Sequence, residues 1–308
     1  MSRRVITYGL DSNMRRLVSE QVSVHRHCDQ PLHEAPADVV GETDIAIIFV
    51  FSEVRPDVCQ RLSCDAIISL GAGVDHIHQE SCGAHGITVC NTPHYGSHTV
   101  AEHTFTLLLA YERHLRKIEN QNLDFERSPY LSHQLAGKTF GAVGTGGIGK
   151  AAARIAKGFG MNVVGFDVNQ DEELADDTGF TYMDSEDVFA KADYVGLYAP
   201  ATPATENMVD EDVLDAMKDD GVLVNTARAH LVDHEALIKA LDTAVIRGAL
   251  LDVVDSDYRD RLASHQKTIL TPHHAFYTEA ALQSMAKQAH DAVEEIRAGS
   301  IPSTALQE

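Results

Sequence analysis

Short apolar runs and longer amphipathic segments alternate along the whole chain. In the first hundred residues the apolar runs are 5–10, 44–51, 66–70 and 88–91, with amphipathic segments such as 13–22 and 55–62 between them. Runs of this length that are rich in β-branched residues predict strands, and amphipathic segments predict helices. The first part of the chain is therefore predicted to be an alternating β/α unit.

The alternation is more regular from about residue 138 onward. Strands are predicted at 139–143, 162–166, 194–199, 222–225, 248–254 and 268–270. Fully apolar strands separated by helices indicate parallel sheets that are covered on both faces. A last helix, from about 277 to 298, has no strand after it and is available to pack on the first part. The predicted fold is α/β, with two doubly wound parallel-sheet domains, 1–98 plus 277–308 and 99–276, and a cleft between them.

A long helix is predicted to begin the second domain at Thr99. Thr99 and Glu102 have the spacing of a capping box at its start. Phe105, Leu108 and Tyr111 make this segment apolar on several sides. Such a helix is expected to be buried, either between domains or in a contact between subunits.

The strongest chemical signal lies between residues 139 and 167. An apolar run leads into Gly144-Thr145-Gly146-Gly147-Ile148-Gly149, a helical segment follows, and a second apolar run ends at Asp167, 23 residues after Gly144. In a dinucleotide site the first glycine permits a tight turn, the second admits the pyrophosphate, and the third lets the helix approach the strand. The helix N-terminus attracts the phosphates, and the acid accepts hydrogen bonds from the ribose. Glycines alone often mark only turns, but this whole pattern predicts a nicotinamide or flavin dinucleotide site.

Polar residues follow the last three predicted strands. Arg228, Asp257 and His273 each come just after one of them, and Asp252 lies inside the end of the second. Ligands of open α/β sheets bind beyond the carboxyl ends of the strands. In the reduction of a 2-oxo acid, arginine grips the carboxylate, histidine protonates the developing alkoxide, and a carboxylate orients the imidazole. Taken singly these residues have ordinary structural explanations, so the hypothesis depends on their sharing one sheet edge.

The charge of the chain is strongly negative. It has 46 acidic and 25 basic residues, a formal net charge of −21, and only 9 of the basic residues are lysine. A charge of this sign repels nucleic acid and anionic lipid, so neither is an expected partner. An ordinary acidic protein is one interpretation. The scarcity of lysine favours the other, adaptation to very high salt, which screens repulsion at the surface.

Other features of the composition indicate the number of domains and the cellular compartment. The 308 residues, 44% of them hydrophobic, are enough for two domains with separate cores. No apolar run is long enough to cross a membrane, and the N-terminus passes directly into a predicted strand, so no signal peptide is expected. Five cysteines form no CxxC pair, and no ligand spacing identifies a metal site. Reduced thiols in a cytoplasmic protein are therefore expected.

The sequence resembles the D-isomer-specific 2-hydroxyacid dehydrogenases over nearly its whole length. The matching stretches are Gly71-Ala72-Gly73-Val74-Asp75, Asn91-Thr92-Pro93, Val100-Ala101-Glu102-His103, the glycine motif with Asp167, Pro200 with Thr202 and Thr205, Asn225-Thr226-Ala227-Arg228 with Leu231-Val232-Asp233, Leu251-Asp252-Val253 and Thr271-Pro272-His273. Several independent motifs in the correct order make the resemblance specific. It implies reversible reduction of 2-oxo acids to D-2-hydroxy acids with NAD(H) or NADP(H), by a Rossmann-fold enzyme that forms a homodimer. It also implies that the long helix extends over about 99–118, links the domains and contributes to the dimer.

The resemblance also implies a role for each site residue. Arg228 would bind the substrate carboxylate and carbonyl, and His273, supported by Asp257, would be the acid in reduction and the base in oxidation. Asp252 would hold the nicotinamide carboxamide. The other implied contacts are backbone N–H groups of Ala72 and Gly73, with Tyr95 as a pocket or packing residue, for the substrate, and Gly144, Gly146, Gly147, Ile148, Gly149, Asp167, Pro200, Thr205 and Thr226 for the cofactor.

Two features leave alternatives open within this family. Its usual catalytic glutamate is replaced by the shorter Asp257, so either the loop moves inward or a water bridges to His273, with Asp255 as a weaker candidate. Asp167 repels a 2′-phosphate and favours NAD, although molar salt would screen this charge and leave NADPH as an alternative. The alternative to an enzyme is a dinucleotide-sensing interaction protein of the same fold with little turnover. The preferred oxo acid is left open.

Overall fold

The computed structural model describes residues 3–119 and 130–306. The chain divides into two compact units, Met1–Tyr95 with Tyr277–Glu308 and Gly96–Phe276. Each unit is built on a parallel sheet flanked by helices. Within the two described ranges, no helix combines the length and the apolar character needed to cross a membrane.

The first unit has a five-stranded parallel sheet. Its strands are β1 (Val5–Tyr8), β2 (Arg26–Cys28), β3 (Ile45–Phe49), β4 (Ala66–Leu70) and β5 (Thr88–Cys90), and its helices are α1 (Ser12–Gln21), α2 (Ala37–Gly41), α3 (Pro56–Arg61), α4 (Gln79–Ala84) and α13 (Glu279–Arg297). The strand order is β2-β1-β3-β4-β5. The central strands β3 and β4 are mostly apolar and are buried except at Phe49, and α13 packs on α1 and β4.

The second unit has a seven-stranded parallel sheet. Its strands are β6 (Thr139–Val143), β7 (Asn162–Phe166), β8 (Thr181–Tyr182), β9 (Tyr194–Leu197), β10 (Val222–Asn225), β11 (Gly248–Leu251) and β12 (Thr268–Leu270). Its helices are α5 (Ser97–Glu112), α6 (Leu115–Ile118), α7 (Gly147–Gly158), α8 (Glu172–Thr178), α9 (Ser185–Lys191), α10 (Glu211–Ala216), α11 (His234–Asp242) and α12 (Arg259–Ser264). The strand order is β12-β11-β10-β9-β6-β7-β8. On one face α5 packs against α7, with the Phe105 ring 5.3 Å from that of Phe140.

The predicted fold class, two doubly wound parallel α/β domains, is confirmed. Two strands were not predicted, β2 and β8, because they are only three and two residues long and contain exposed polar positions. The strand predicted at 248–254 ends at Leu251, so Asp252 lies beyond the strand and not inside it. From there the chain leaves the sheet, and the buried Asp252 carboxylate accepts hydrogen bonds from a neighbouring turn.

The prediction for the long helix was partly wrong. It begins at Ser97 after Gly96, so Thr99 lies in its first turn and is not the cap of a capping box. It also ends at Glu112, and α6 is a separate short helix that follows His114, whose φ is +52°. A left-handed residue cannot continue a right-handed helix, which explains the break. The burial expected from its apolar composition is confirmed at Phe105 and Leu108.

Candidate active site

One edge of the second unit's sheet carries most of the predicted site residues. All strand pairs in this sheet are parallel, so all seven strands end on the same edge. The residues that follow the strand ends on this edge are Gly144 after β6, Asp167 after β7, Pro200 after β9, Arg228 after β10, Asp252 after β11 and His273 after β12. Since β10, β11 and β12 are neighbours, the last three residues belong to adjacent strand ends.

Two glycines of the motif are required by the packing of the backbone. Gly144 has φ +95°, and an added Cβ would lie 2.7 Å from the carbonyl carbon of Tyr198. At Gly149 an added Cβ would lie 2.0 Å from the carbonyl oxygen of Gly144. The turn is therefore pressed between α7 and the segment after β9. The chain goes from β6 to β7 on one side and reaches β9 on the other, which is the switch point where doubly wound sheets bind ligands.

The N-terminus of α7 is suited to a phosphate group. Its N-cap residue is Gly146, and within the described part of the chain no side chain caps it. An added Cβ at Gly146 would meet no described atom within 4 Å, so the space in front of the helix is open. The first turn, which contains Gly147 and Ile148, has no acid, whereas α8 to α12 all have one there. Uncapped N–H groups and the positive end of the helix dipole fit a pyrophosphate.

Asp167 is held by the glycine turn itself. Its Oδ2 accepts hydrogen bonds from the Thr145 N–H at 2.5 Å and the Thr145 hydroxyl at 3.2 Å, and its Oδ1 accepts from the Asn169 N–H at 2.9 Å. The Tyr182 hydroxyl lies 2.9 Å from the Thr145 hydroxyl. A carboxylate has about four acceptor positions, so one remains for a ribose hydroxyl. Sequence reasoning missed Tyr182, because it is distant from the motif in the chain and has no local signal.

The other predicted cofactor contacts lie on well-ordered turns of the same edge. The Thr205 hydroxyl donates to the carbonyl of Pro200 at 2.7 Å and accepts from the Thr202 N–H at 2.9 Å, which closes the loop after β9. Thr226 is 7% exposed, and its hydroxyl lies 3.4 Å from that of Thr104 on α5. These contacts order the loops beside the glycine turn.

Arg228 is positioned by Asn225, a residue that sequence reasoning did not assign to the site. The buried Asn225 side chain accepts from the Ala227 N–H at 3.0 Å and donates to the Arg228 carbonyl at 2.8 Å. The Arg228 guanidinium donates a hydrogen bond of 2.9 Å to the Ala227 carbonyl. With five N–H donors, a guanidinium can make this bond and also bind a carboxylate bidentately. The signal for Asn225 was available, since asparagine at a strand end often bonds the backbone two residues ahead.

His273 lies in a strained turn that Asp252 supports. Its φ is +54°, and its ring, half-buried, meets Phe276 edge-on with centroids 6.1 Å apart. The His273 N–H donates to the Asp252 carbonyl at 2.8 Å, and the next two N–H groups, of His274 and Ala275, donate to the Asp252 carboxylate at 2.8 and 3.0 Å. Three successive amides of the turn therefore depend on one aspartate.

Asp257 lies in a short 3-10 turn, Ser256–Tyr258, that a buried histidine supports. Asp257 is exposed and accepts from the Ser256 hydroxyl at 3.3 Å. Below the turn, the His234 ring stacks on Tyr258 with centroids 5.2 Å apart, and its Nδ1 lies 3.4 Å from an oxygen of Asp255. Burial lowers the pKa of His234, against the opposing effect of Asp255 and Asp233. Asp255 thus contacts His234, which supports the turn, whereas Asp257 is exposed to solvent.

Two of the predicted substrate residues of the first unit, Ala72 and Gly73, follow the end of β4. Gly71 and Ala72 form a bend there, and the Ala72 carbonyl accepts from the Asn91 side chain at 2.7 Å. The Gly71 N–H that precedes them donates to the hydroxyl of the fully buried Thr92 at 2.8 Å. Tyr95, half-buried, ends this segment of the unit. The bend is therefore held by the conformation of the Asn91-Thr92 segment.

This fold and glycine-turn geometry define a dinucleotide-binding domain of the Rossmann type. The chain belongs to the D-isomer specific 2-hydroxyacid dehydrogenase family, and residues 105–275 match the NAD binding domain of that family. NAD(H) is the cofactor that this domain carries. The family and the NAD cofactor predicted from the sequence are both confirmed.

Similar proteins include a glyoxylate reductase and two D-lactate dehydrogenases. The glyoxylate reductase of Pyrococcus furiosus is 35% identical over 97% of this chain and 93% of its own. The apo-structure of D-lactate dehydrogenase from Escherichia coli superposes with a TM-score of 0.91 at 26% identity, covering 99% of this chain and 100% of the other. The D-lactate dehydrogenase of Aquifex aeolicus, solved with NAD and lactic acid, has a TM-score of 0.86 at 26% identity over 96% of both chains.

Proposed function

We propose that this protein reduces small 2-oxo acids to D-2-hydroxy acids with NADH, and catalyses the reverse oxidation. The observation that carries this proposal is the set of adjacent strand ends after β10, β11 and β12. They bear Arg228, Asp257 and His273 on the same sheet edge as the open N-terminus of α7. Arginine, carboxylate and histidine are the side chains that the reduction of a 2-oxo acid requires.

Each of the three residues has a separate task in the reaction. Bound NADH supplies a hydride to C2 of the oxo acid. Arg228 binds the substrate carboxylate through paired N–H donors and polarises the neighbouring carbonyl. His273 gives its proton to the carbonyl oxygen as the C–H bond forms, so the product is the neutral hydroxyl group. In oxidation His273 takes that proton back, and Asp257 stabilises the charged imidazole in both directions.

The first unit has its own proposed substrate residues. The N–H groups of Ala72 and Gly73, which follow β4, are proposed to donate to a substrate carboxylate, and Tyr95 is proposed to contact the substrate side chain. The side chain of Asp257 is one methylene shorter than the glutamate usual in the family, so contact with His273 through a water is the simplest arrangement. The rigid support of its turn by His234 and Tyr258 favours this over an inward shift of the loop.

The proposed cofactor preference is NAD over NADP. Asp167 is fixed beside the glycine turn by three donors, so its negative charge cannot swing away from a 2′-phosphate. No arginine or lysine occurs between residues 168 and 180 to bind such a phosphate. Asp252 contacts the nicotinamide end in the role that the family resemblance assigns to it.

The proposed setting is the cytoplasm of a halophile, with the protein as a homodimer. The net charge of −21 supports the salt adaptation, because high salt screens the repulsion between the acidic groups of such a surface. Apolar side chains exposed on the second unit support the dimer. Leu115 and Leu131 have exposed fractions of 52% and 88%, and Leu109 and Phe159 are among the residues that line a surface cavity of about 430 Å³ in this unit. Sedimentation at low and molar KCl tests the assembly, and a monomer under both conditions would contradict it.

The experiment that tests the proposed function is a turnover assay with a panel of 2-oxo acids. Each acid is offered with NADH and with NADPH, at low and at molar KCl, and the loss of reduced-nicotinamide absorbance is followed. We expect turnover with NADH, fastest at molar KCl, and a loss of roughly 10²–10⁴-fold in kcat for His273→Gln with NADH binding retained. Cofactor binding without turnover of any acid would overturn the enzyme and favour a dinucleotide-sensing protein.

A further inference from the structure

A chain of hydrogen bonds leads from α5 to the turn that carries His273. The His103 Nε2 lies 3.0 Å from the Thr271 hydroxyl, and this hydroxyl donates to Oδ1 of Asp252 at 2.5 Å. The Asp252 carboxylate in turn accepts the N–H groups of His274 and Ala275 at 2.8 and 3.0 Å. The chain joins three elements of the second unit, namely α5 and the segments after β11 and β12.

The direction of each bond in this chain follows from its chemistry. The Asp252 carboxylate can only accept hydrogen bonds, so the Thr271 hydroxyl must donate its single proton to it. The Thr271 oxygen can then only accept from His103, which assigns the proton of the imidazole to Nε2. Burial lowers the pKa of His103, with Asp252 opposing this effect and His274 adding to it, and this direction favours the neutral ring with its single N–H donor.

The turn needs this support because its backbone is strained. A residue other than glycine at φ +54° is held against its conformational preference, and this conformation persists only where neighbouring contacts fix it. These contacts are hydrogen bonds from the N–H groups of residues 273 to 275, all of which donate to Asp252. The side chain of Asp252 is itself 0% exposed, so its carboxylate depends on the N–H groups of His274 and Ala275 and on the Thr271 hydroxyl for the hydrogen bonds that water would supply.

We propose that His103 is a positioning residue for His273, acting through Thr271 and Asp252. The Nε2–H of His103 fixes the Thr271 hydroxyl, the hydroxyl fixes the Asp252 carboxylate, and the carboxylate fixes the turn that presents the His273 ring. This assigns Asp252 a structural task besides the contact with the nicotinamide, and gives α5 a share in the geometry of proton transfer. It rests on the proposed function in one respect, the assignment of proton transfer to His273.

The test is a pair of substitutions at Thr271 and a pair at His103. Thr271→Val keeps the shape and removes the hydroxyl, whereas Thr271→Ser keeps the hydroxyl. His103→Leu removes the donor, whereas His103→Gln retains an N–H at a similar reach. We expect kcat to fall about tenfold in Thr271→Val and in His103→Leu, with the KM for NADH within twofold of its original value, and most of the loss to be restored in Thr271→Ser and His103→Gln.

The double variant separates a shared chain from two independent sites. If both residues act through Asp252, the double variant Thr271→Val/His103→Leu loses no more than about the larger single loss, because the chain is already broken. Independent effects would multiply to about a hundredfold. Multiplication, or equal kcat in Thr271→Val and Thr271→Ser, would overturn the proposal.

A second test, by hydrogen exchange, does not require catalytic turnover. Hydrogen exchange of the amides of His273, His274 and Ala275 should quicken at least tenfold in Thr271→Val and His103→Leu, while the amides of the central strand β9 keep their protection. This comparison excludes general unfolding, and it decides the inference even if the unchanged protein reduces no 2-oxo acid. Unchanged exchange at 273–275 would show that the turn stands without His103.

Discussion

Both units begin with a strand, a glycine and a helix, but the N-terminus of that helix differs between the two units. In each, the first strand runs into a glycine with positive φ and then a helix: β1, Gly9 at +63° and α1 in one unit, and β6, Gly144 at +95° and α7 in the other. In the first unit the helix is capped by its own Asp11, whose carboxylate accepts the N–H groups of Asn13 and Met14 at 2.8 and 3.0 Å. In the second unit the corresponding residue is Gly146, and the described residues provide no side chain in this role.

The difference shows how one arrangement becomes a binding site and the other does not. A carboxylate at the N-terminus of a helix satisfies the free N–H groups and neutralises the positive end of the dipole. Because Asp11 accepts these N–H groups, they are not available to an external anion. With Gly146 at this position, the N–H groups of α7 and the positive end of its dipole remain available to a phosphate. The cofactor site is therefore defined by a missing cap as much as by its glycines.

The largest expected effect is that of Gly149→Ala, which breaks the turn itself. The added Cβ would lie 2.0 Å from the Gly144 carbonyl oxygen, so α7 must move away from β6. We expect the Kd of NADH to rise more than a hundredfold and the melting temperature to fall, both measurable by fluorescence titration and calorimetry. Gly158→Ala is the matched control in the same helix, because its Cβ would meet no described atom within 4 Å. Equal effects of the two would refute the argument from close approach.

A smaller effect is expected when α7 receives the kind of cap that α1 has. Gly146→Asp places a carboxylate where space is open, so the fold should hold while the phosphate site is filled. We expect the Kd of NADH to rise about a hundredfold, from two lost charge-assisted hydrogen bonds of about 1.5 kcal/mol each. Gly146→Asn caps the helix without the charge and should weaken binding less. Identical losses in both variants would attribute the effect to bulk and not to charge.

The next effect concerns the choice between the two nicotinamide cofactors. Asp167→Asn removes the charge but keeps an oxygen that can accept from the Thr145 N–H. We expect the ratio of the Kd of NADPH to that of NADH to fall about tenfold at low salt, since about 1.4 kcal/mol of repulsion is removed. At molar KCl the two proteins should differ less, because salt screens the charge that the substitution removes. A ratio that does not change at low salt would show that Asp167 does not discriminate.

The smallest effect is expected in the first unit. Asp11→Ala leaves the N–H groups of Asn13 and Met14 without their acceptor, and should lower the free energy of unfolding by about 1 kcal/mol. The Kd of NADH should stay the same, because this helix end serves only stability. Asp11→Asn retains an acceptor and is the control, with most of the stability kept. Denaturant titration measures the first quantity, and a loss of NADH affinity in Asp11→Ala would contradict the division of roles.

The parts of the site that were predictable are those built from neighbours in the chain. The strand, glycine turn and helix from Thr139 to Gly158 and the acid at Asp167 form one βαβ unit, whose apolar periods and glycine spacing are both visible locally. Local pattern was also the source of the errors. The capping box at Thr99 has the right spacing, yet α5 begins two residues earlier, at Ser97, because capping depends on where the chain turns and not on spacing alone.

The sequence by itself determined the α/β class, the alternation of buried strands, the dinucleotide turn and the residue types at three strand ends. These follow from periodicity and from short-range backbone geometry, which act over a few residues. Only the tertiary structure decided what holds those residues in place. His103 and Thr271 are 168 positions apart in the chain, and Asp252 lies 22 positions from the His274 N–H that it accepts. Contacts of this kind depend on which strand ends become neighbours, and burial then makes each hydrogen bond obligatory.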